Sequence, residues 1–400
     1  MKLAIVSNFL NHHQLPLCKA FFGELGEDFV FIATEMLPEE RRELGYQNMN
    51  NKYSFCRLAY LFGEAERCKE ILYESDVVIF AYGSVPIDLV KRRIRDNKLT
   101  FFYMERIFKK HSFEDVSFKR KLAIWSKHRF FSNKNVYVLC ASAFTALDFS
   151  CFHLYRNKMY KWGYFPEVDM ENFQKRTDGQ VKLLWVGRFI DWKHPELAVN
   201  VMADLKKIGY KNVSLTMIGS GPLFDSIKKM ADKSAAYSDI EFTGSMSPEE
   251  VRTYMKQSDF FLMTSDRQEG WGAVLNEAMN SGCVPIANHM IGAVPYLIKQ
   301  WKNGVCYRDG CYDELLSAVR FLIENPDIRT SMAWEARDTI TDLWNPGYVA
   351  QRFLFTLSQM NNMKEQFFFA EGPMSKANII EEEYIEEVEE DDFHERINTD

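Results

Sequence analysis

Long hydrophobic runs, paired metal-type cysteines and internal repeats are all missing from this 400-residue chain. No apolar stretch reaches the roughly 18 residues of a bilayer span, which excludes a transmembrane helix. The eight cysteines include no C-x-x-C pair and no Cys/His spacing suited to zinc; the nearest pair, Cys306 and Cys311, sits in a turn-like CYRDGC. We read them as reduced packing residues of a cytoplasmic protein and expect no metal centre. Carboxylates form no D-x-D cluster in the body of the chain; Asp391-Asp392 lies in the tail. A signal peptide is not expected either, because Met1-Lys-Leu-Ala-Ile-Val runs straight into Ser7 and Asn8, as a first strand would. No repeat of roughly 20–50 residues stands out, which excludes a solenoid.

What is there suits a soluble protein of two or three domains. Apolar residues make up 46% of the chain and aromatics 14%, enough for sizeable cores, while the 26% charged fraction is ordinary. The most informative stretch is Glu269-Gly-Trp-Gly-Ala-Val-Leu-Asn-Glu277. Ala273 to Asn280 reads as a short helix ended by Gly282. Glu269 then lies just ahead of that helix and Glu277 about one turn inside it, ~6 Å along the axis. Backbone N–H groups at Gly270, Trp271 and Gly272 fall at the positive end of the helix dipole, where an anion binds. Such an arrangement can hold a phosphate between two sets of sugar hydroxyls.

Upstream runs Leu183-Leu-Trp-Val-Gly-Arg-Phe-Ile-Asp-Trp-Lys-His-Pro, a strand followed by Gly187, Arg188 and Lys193, then a helix from Pro195. Cations just past a strand end suit a diphosphate. Next come Val213–Ile218 ending in Gly219 and Gly221, Ile240–Gly244, a Ser-Pro-Glu-Glu helix start at Ser247, and Asp259–Thr264 leading into Glu269. The β-α alternation implies a parallel sheet with its site along one edge.

In this order, VGR-x4-K, IGSGP, FTG, E-x7-E, Gly292-Ala-Val-Pro-Tyr and Asn303-Gly304 resemble the family 4 glycosyltransferases, including those of bacterial polysaccharide biosynthesis. The resemblance covers roughly residues 181–345. It implies a retaining, metal-independent transferase (EC 2.4, hexosyltransferase type) of the GT-B fold: α/β, with two Rossmann-like parallel-sheet domains facing across a cleft. It also implies a nucleoside-diphosphate sugar, a UDP-sugar by expectation, as co-substrate, and no cofactor. Arg188 and Lys193 would hold the diphosphate, Glu269 the donor sugar and Glu277 the ribose. The amides from Trp271 to Ala273 would take the distal phosphate, and Gly187, Gly219, Gly221, Gly244, Gly270 and Gly272 would line the donor site.

The first half reads as a second α/β unit, with strands expected at Lys2–Ser7, Phe29–Thr34, Val77–Ala81, Leu99–Tyr103 and Val136–Cys140. We expect an acceptor domain over 1–166 and a nucleotide-sugar domain over 167–345. A helix within 346–370 should cross back to the first domain, and 371–400 should be an acidic disordered tail. Many GT-B enzymes carry a glycine pair after the first strand; this chain has Asn11, His12, His13 and Gln14, candidates for the acceptor or the transferring sugar. A helix cap at Asn11 with two surface histidines is the alternative. Where many relatives place a His after a later strand, this chain has Glu105 and Arg106, read as a charged pair facing the cleft or else as a structural ion pair.

Charge is unevenly spread. Residues 371–400 hold twelve acids against two cations, whereas 91–134 hold fourteen Lys/Arg against four acids, interleaved with aromatics. That basic face suits an anionic membrane surface and a lipid-linked or glycan acceptor, at the inner face of the cell membrane; a solvated helix face over core aromatics is the alternative. Nucleic acid is not expected, since no binding motif accompanies the charge. Two other functions stay open on this scaffold: a nucleotide-sugar epimerase and a non-catalytic binding protein.

Overall fold

The computed structural model describes residues 1–43, 47–81, 87–168, 179–362 and 366–383. The chain forms two compact units, one of Met1–Glu167 with Leu343–Glu381, the other of Val168–Asp342 with the chain from Glu382. No helix among the described residues is long and apolar enough to cross a membrane.

The first unit is built on seven strands: β1 (Leu3–Ser7), β2 (Phe29–Ala33), β3 (Cys56–Leu58), β4 (Val77–Phe80), β5 (Leu99–Met104), β6 (Val136–Cys140) and β7 (Met159–Lys161). They pair in parallel in the order β3-β2-β1-β4-β5-β6-β7. The apolar runs LAIVS and VVIF of β1 and β4 are buried throughout, as strands covered on both faces must be. Helices Ile87–Arg95 and Phe118–Ser132 feed one core through Val90, Ile94 and Phe131. Toward another core, Phe353 of the helix Pro346–Asn362 meets Phe21, Phe101 and Trp162 at ring distances of 5.6, 5.1 and 5.7 Å.

The expected disordered tail does not begin at 371. Met374 and Ala377 are buried. The Ser375 carbonyl accepts the Lys161 N–H (2.8 Å), the Met159 carbonyl accepts the Ala377 N–H (3.0 Å), and Arg352 donates to the carbonyls of Glu371 (2.5 Å) and Pro373 (3.0 Å). Apolar side chains and main-chain pairing along β7 outweigh the acidic composition there. The acidic run from 384 lies outside the described residues.

The second unit has six parallel strands, β8 (Val181–Val186), β9 (Val213–Ile218), β10 (Ile240–Gly244), β11 (Phe260–Met263), β12 (Val284–Asn288) and β13 (Val305–Tyr307), in the order β10-β9-β8-β11-β12-β13. Their core holds Leu183, Trp185, Met217, Phe260, Leu262 and Ile286. The Ser-Pro-Glu-Glu signal is a full capping box: Ser247 and Glu250 bond each other's backbone ahead of the helix Pro248–Lys256. In both sheets the chain reverses direction once, beside β1 in the first and beside β8 in the second. In open α/β sheets the loops leaving the strand ends at that switch point form the natural ligand crevice.

Candidate active site

The switch point of the second sheet lies between β8 and β11, and the two loops that leave those strands carry Lys193 and Glu269. Their side chains form an ion pair, Lys193 Nζ to Glu269 Oε2, and both are largely withdrawn from water, 13% and 14% exposed. Ser265 Oγ adds a hydrogen bond to the same carboxylate oxygen (3.1 Å). The Lys193 ammonium also sits 4.9 Å from the Trp192 ring centroid. Arg188, one loop turn earlier, is exposed, its guanidinium 5.9 Å from the same ring. An anion arriving here meets one exposed cation and one held in reserve by a carboxylate.

Backbone packing explains the glycines. Gly219 has φ +135°, and a Cβ there would fall 1.9 Å from the Gly187 carbonyl oxygen. Gly221 has φ +152°, and its Cβ would fall 2.6 Å from the Phe189 oxygen. Both let the loop after β9 press directly on the loop that carries Arg188 and Lys193. At Gly187 itself a Cβ would meet the Trp185 ring at 3.3 Å and Lys193 Cδ at 3.6 Å, so the lysine stem lies across it. Gly244 is left-handed but has open space around it.

The helix Ala273–Asn280 starts at Gly272, which is left-handed (φ +92°). A Cβ there would fall 2.3 Å from Met263 Cε and 3.3 Å from Glu269 Cγ. The helix ends in a Schellman pair, Gly282 N–H to Met279 O and Cys283 N–H to Ala278 O, both 2.9 Å. The first-turn amides of any helix lack partners within it, so this start presents donors beside Glu269. Trp271 is buried and donates from its indole to Asn276 Oδ1 (2.9 Å), which ties the loop to the helix. The motif Gly292-Ala293 braces the loop: its N–H groups donate to the carbonyls of Glu269 (3.2 Å) and Trp271 (3.1 Å). Glu277 is partly covered, and burial raises its carboxyl to about 7, so it is neutral in part near neutral pH and can donate as well as accept.

Sequence reasoning missed three residues here. Thr264 accepts from the Trp185 indole (2.9 Å) and donates to the Lys193 carbonyl (2.6 Å), stitching β8, β11 and the cationic loop together. Asn276 holds Trp271. His194 takes a left-handed conformation (φ +46°), uncommon for a residue with a side chain. Its ring nitrogens meet Glu196 Oε1 at 3.0 Å and Asp266 Oδ2 at 3.5 Å. The hydrogen bond to Glu196 and the two acids raise its pKa. Asp266 in turn takes the Trp192 carbonyl with its N–H (3.0 Å), while its own carbonyl accepts the Glu269 N–H (3.0 Å). His194 therefore links the Lys193 loop to the Glu269 loop.

In the first unit, the candidates after β1 and β5 divide. Asn11 spends its side-chain oxygen on the N–H groups of His13 and Gln14, both at 3.0 Å, as a local cap. Gln14 donates to Ser7 Oγ (3.0 Å). The rings of His12 and His13 lie 3.8 Å apart, and His13 stands edge-on to Tyr164 at 6.2 Å. Tyr164 donates to Glu105 Oε1 (3.0 Å), and Glu105 also pairs with Lys109. His13, Tyr164 and Glu105 thus come together at the strand ends. Arg106 does not join them, contrary to expectation. Its side chain is fully buried, 3.6 Å from Asp148 Oδ1 and 4.9 Å over the Phe144 ring, a structural cation. Past the end of β5 the two adjacent side chains take different partners, Glu105 with Tyr164 and Arg106 with Asp148. Within either unit, the described residues gather no three metal-type ligand atoms.

Residues 169–339 match the family model described as Glycosyl transferases group 1. Among curated proteins, an uncharacterized glycosyltransferase of Methanocaldococcus jannaschii is 27% identical over 175 residues, 44% of this chain and 44% of that protein. The alpha-monoglucosyldiacylglycerol synthase of Streptococcus pneumoniae is 29% identical over 169 residues, 41% and 37% of the two chains. The chain thus spans less than half the length of these two relatives. The crystal structure of Anabaena HepE in complex with UDP superposes with a TM-score of 0.67 at 15% identity, covering 90% of this chain and all of that one. The lipopolysaccharide outer core galactosyltransferase WaaB gives 0.62 at 14% identity, with 89% and 100% covered. Residues 169–339 are therefore similar to the group 1 glycosyl transferases, in a chain with the GT-B fold.

Proposed function

We propose that this chain is a retaining glycosyltransferase that moves a sugar from a nucleoside-diphosphate donor, a UDP-sugar by preference, to a hydroxyl acceptor without a metal ion. The observation that carries the reading is the Lys193–Glu269 pair at the β8/β11 switch point, beside the start of the Ala273–Asn280 helix. In this reading the donor diphosphate lies against Arg188, Lys193 and the helix start, which together supply the positive charge a metal would otherwise bring. Glu269 faces the sugar hydroxyls and Glu277 the ribose. The acceptor oxygen attacks the anomeric carbon from the face that the leaving group occupies. The bond from that carbon to the β-phosphate oxygen breaks, the new glycosidic bond forms, and the acceptor proton passes to the departing phosphate. Configuration is kept, and the products are a nucleoside diphosphate and a glycoside. His13, Tyr164 and Glu105 of the first unit are the acceptor-side candidates, and the synthase relative named above makes a lipid or glycan hydroxyl a reasonable acceptor.

Release of nucleoside diphosphate from a panel of nucleotide-sugars, with and without added hydroxyl acceptors, tests this. Acceptor-dependent release with retained anomeric configuration is expected. Epimerised nucleotide-sugar, or binding with no turnover across the panel, would replace the reading with one of its alternatives.

A further inference from the structure

The helix Phe118–Ser132 breaks the usual division of a surface helix. Its inward side is supplied by Ile124, Trp125, His128 and Phe131, which pack on or beside the first unit's core. The opposite side should then be polar. Instead Phe118, Leu122 and Phe130 stand 77%, 49% and 42% exposed. At 100° per residue they fall on the outward arc together with Lys119, Arg120, Lys127 and Arg129. The helix contains five Lys/Arg and no Asp or Glu. The Arg129 guanidinium lies over the Trp125 ring at 4.5 Å and the residue stays exposed.

The neighbouring helix Ile87–Arg95 continues the surface. It feeds the same core through Leu89, Val90 and Ile94, and so covers the same face of the sheet, where β4, β5 and β6 are adjacent. Ile87 is exposed there, as are Lys91, Arg92 and Arg95. The acids nearby are peripheral: Asp88 in the first turn of that helix, Asp96 held by Tyr73, and Glu114 and Asp115 ahead of Phe118. Most aromatics of the basic stretch are spent on packing, since Phe101, Phe108 and Phe131 are buried. Those on the Phe118–Ser132 helix that remain outside are interleaved with cations on one convex arc.

We infer that the exposed side of the Phe118–Ser132 helix docks on an anionic lipid bilayer. Apolar rings that enter the headgroup boundary and cations that meet anionic lipids need this mixture on a convex surface. A protein partner would more commonly be met by a contiguous apolar patch with a polar rim, and nucleic acid would be served by the cations alone. The inference stands apart from the transfer reading, because vesicle binding needs neither donor nor turnover.

The test is sedimentation of the full chain with vesicles of phosphatidylcholine, pure or mixed with phosphatidylglycerol, at low and high salt. Binding to the mixed vesicles, weakened by salt and absent on pure phosphatidylcholine, is expected. The triple variant Phe118→Ser, Leu122→Ser, Phe130→Ser and the quadruple variant Lys119→Gln, Arg120→Gln, Lys127→Gln, Arg129→Gln should each lose at least ~10-fold in vesicle affinity. Both should keep the melting temperature of the parent, since the side chains are exposed. Equal binding by either variant, no preference for the anionic vesicles, or retention on heparin without vesicle binding would overturn the inference.

Discussion

Replacing Gly219 with Ala tests whether backbone contact between two loops positions the candidate cations. Gly219 follows β9 at φ +135°, a region that residues with a Cβ rarely adopt, and its Cβ would stand 1.9 Å from the Gly187 oxygen. Real Cβ contacts do not fall under 3.0 Å, so one loop must retreat by about 1 Å. The strain alone costs on the order of 1–3 kcal/mol. For a unit of this size ~2 kcal/mol lowers its melting point by roughly 4–8 °C. The retreating loop is the one that bears Arg188 and Lys193, and a shift of ~1 Å at a reacting centre can cost ~10²-fold in turnover. Gly244→Ala is the control: φ is +76°, but no atom lies within 4 Å of the added carbon, so it should lose only about 1 kcal/mol and little activity. Scanning calorimetry and nucleoside-diphosphate release on both variants decide the matter. If Gly219→Ala melts with Gly244→Ala and turns over normally, the loop-to-loop argument is wrong.

Two further outcomes follow from other contacts. His194 has its pKa raised by Glu196 and Asp266, so its stabilising contribution is complete below the ordinary value of about 6.5 and is lost as pH rises through the higher folded value. Denaturant unfolding should show parent and His194→Gln furthest apart near pH ~6 and converging as pH rises through that folded value; a gap that widens with pH would contradict this. Ending the chain before Glu371 should lower the melting point of the first unit relative to ending it after Glu383, because Met374, Ala377 and the carbonyls bound by Arg352 would go. Equal melting of the two truncations would refute the packing described for 371–383.

The parts legible in the sequence were those whose chemistry is local. Continuous apolar runs marked β1, β4, β8 and β11, and Ser247-Pro-Glu-Glu marked a helix start, because each signal lies inside one short segment. The motif residues Arg188, Lys193, Glu269 and Glu277 were read from their own loops, and the fold places two of them in contact. Strands β3, β7 and β13 escaped notice, since three residues carry no periodicity, and so did β12, a five-residue run that contains a proline. Thr264 and His194 were invisible for another reason: each acts by joining segments that meet only in the folded sheet, whereas Asn276 acts within the motif itself, on Trp271 five residues before it. Gly219 and Gly221 were read as lining the donor site; the space a side chain would need at each is taken by neighbouring backbone. Arg106 was placed beside Glu105 on sequence adjacency, whereas its partner Asp148 comes from the later helix Thr145–Ser150. Acidic composition likewise hid the buried Met374 and Ala377.

The central claim is that the β8/β11 switch point is a nucleoside-diphosphate site, and its most direct test is the melting shift caused by UDP and GDP in the parent and in Arg188→Ala. At one hundred times its dissociation constant a bound nucleotide stabilises by about 2.7 kcal/mol. Arg188 is exposed and makes no ion pair among the described residues, so its loss should leave the unliganded melting point in place. The account predicts that one of the nucleotides raises the parent's melting temperature by several degrees and that Arg188→Ala loses most of that shift. An equal shift in both proteins, or none in the parent with either nucleotide, would contradict it.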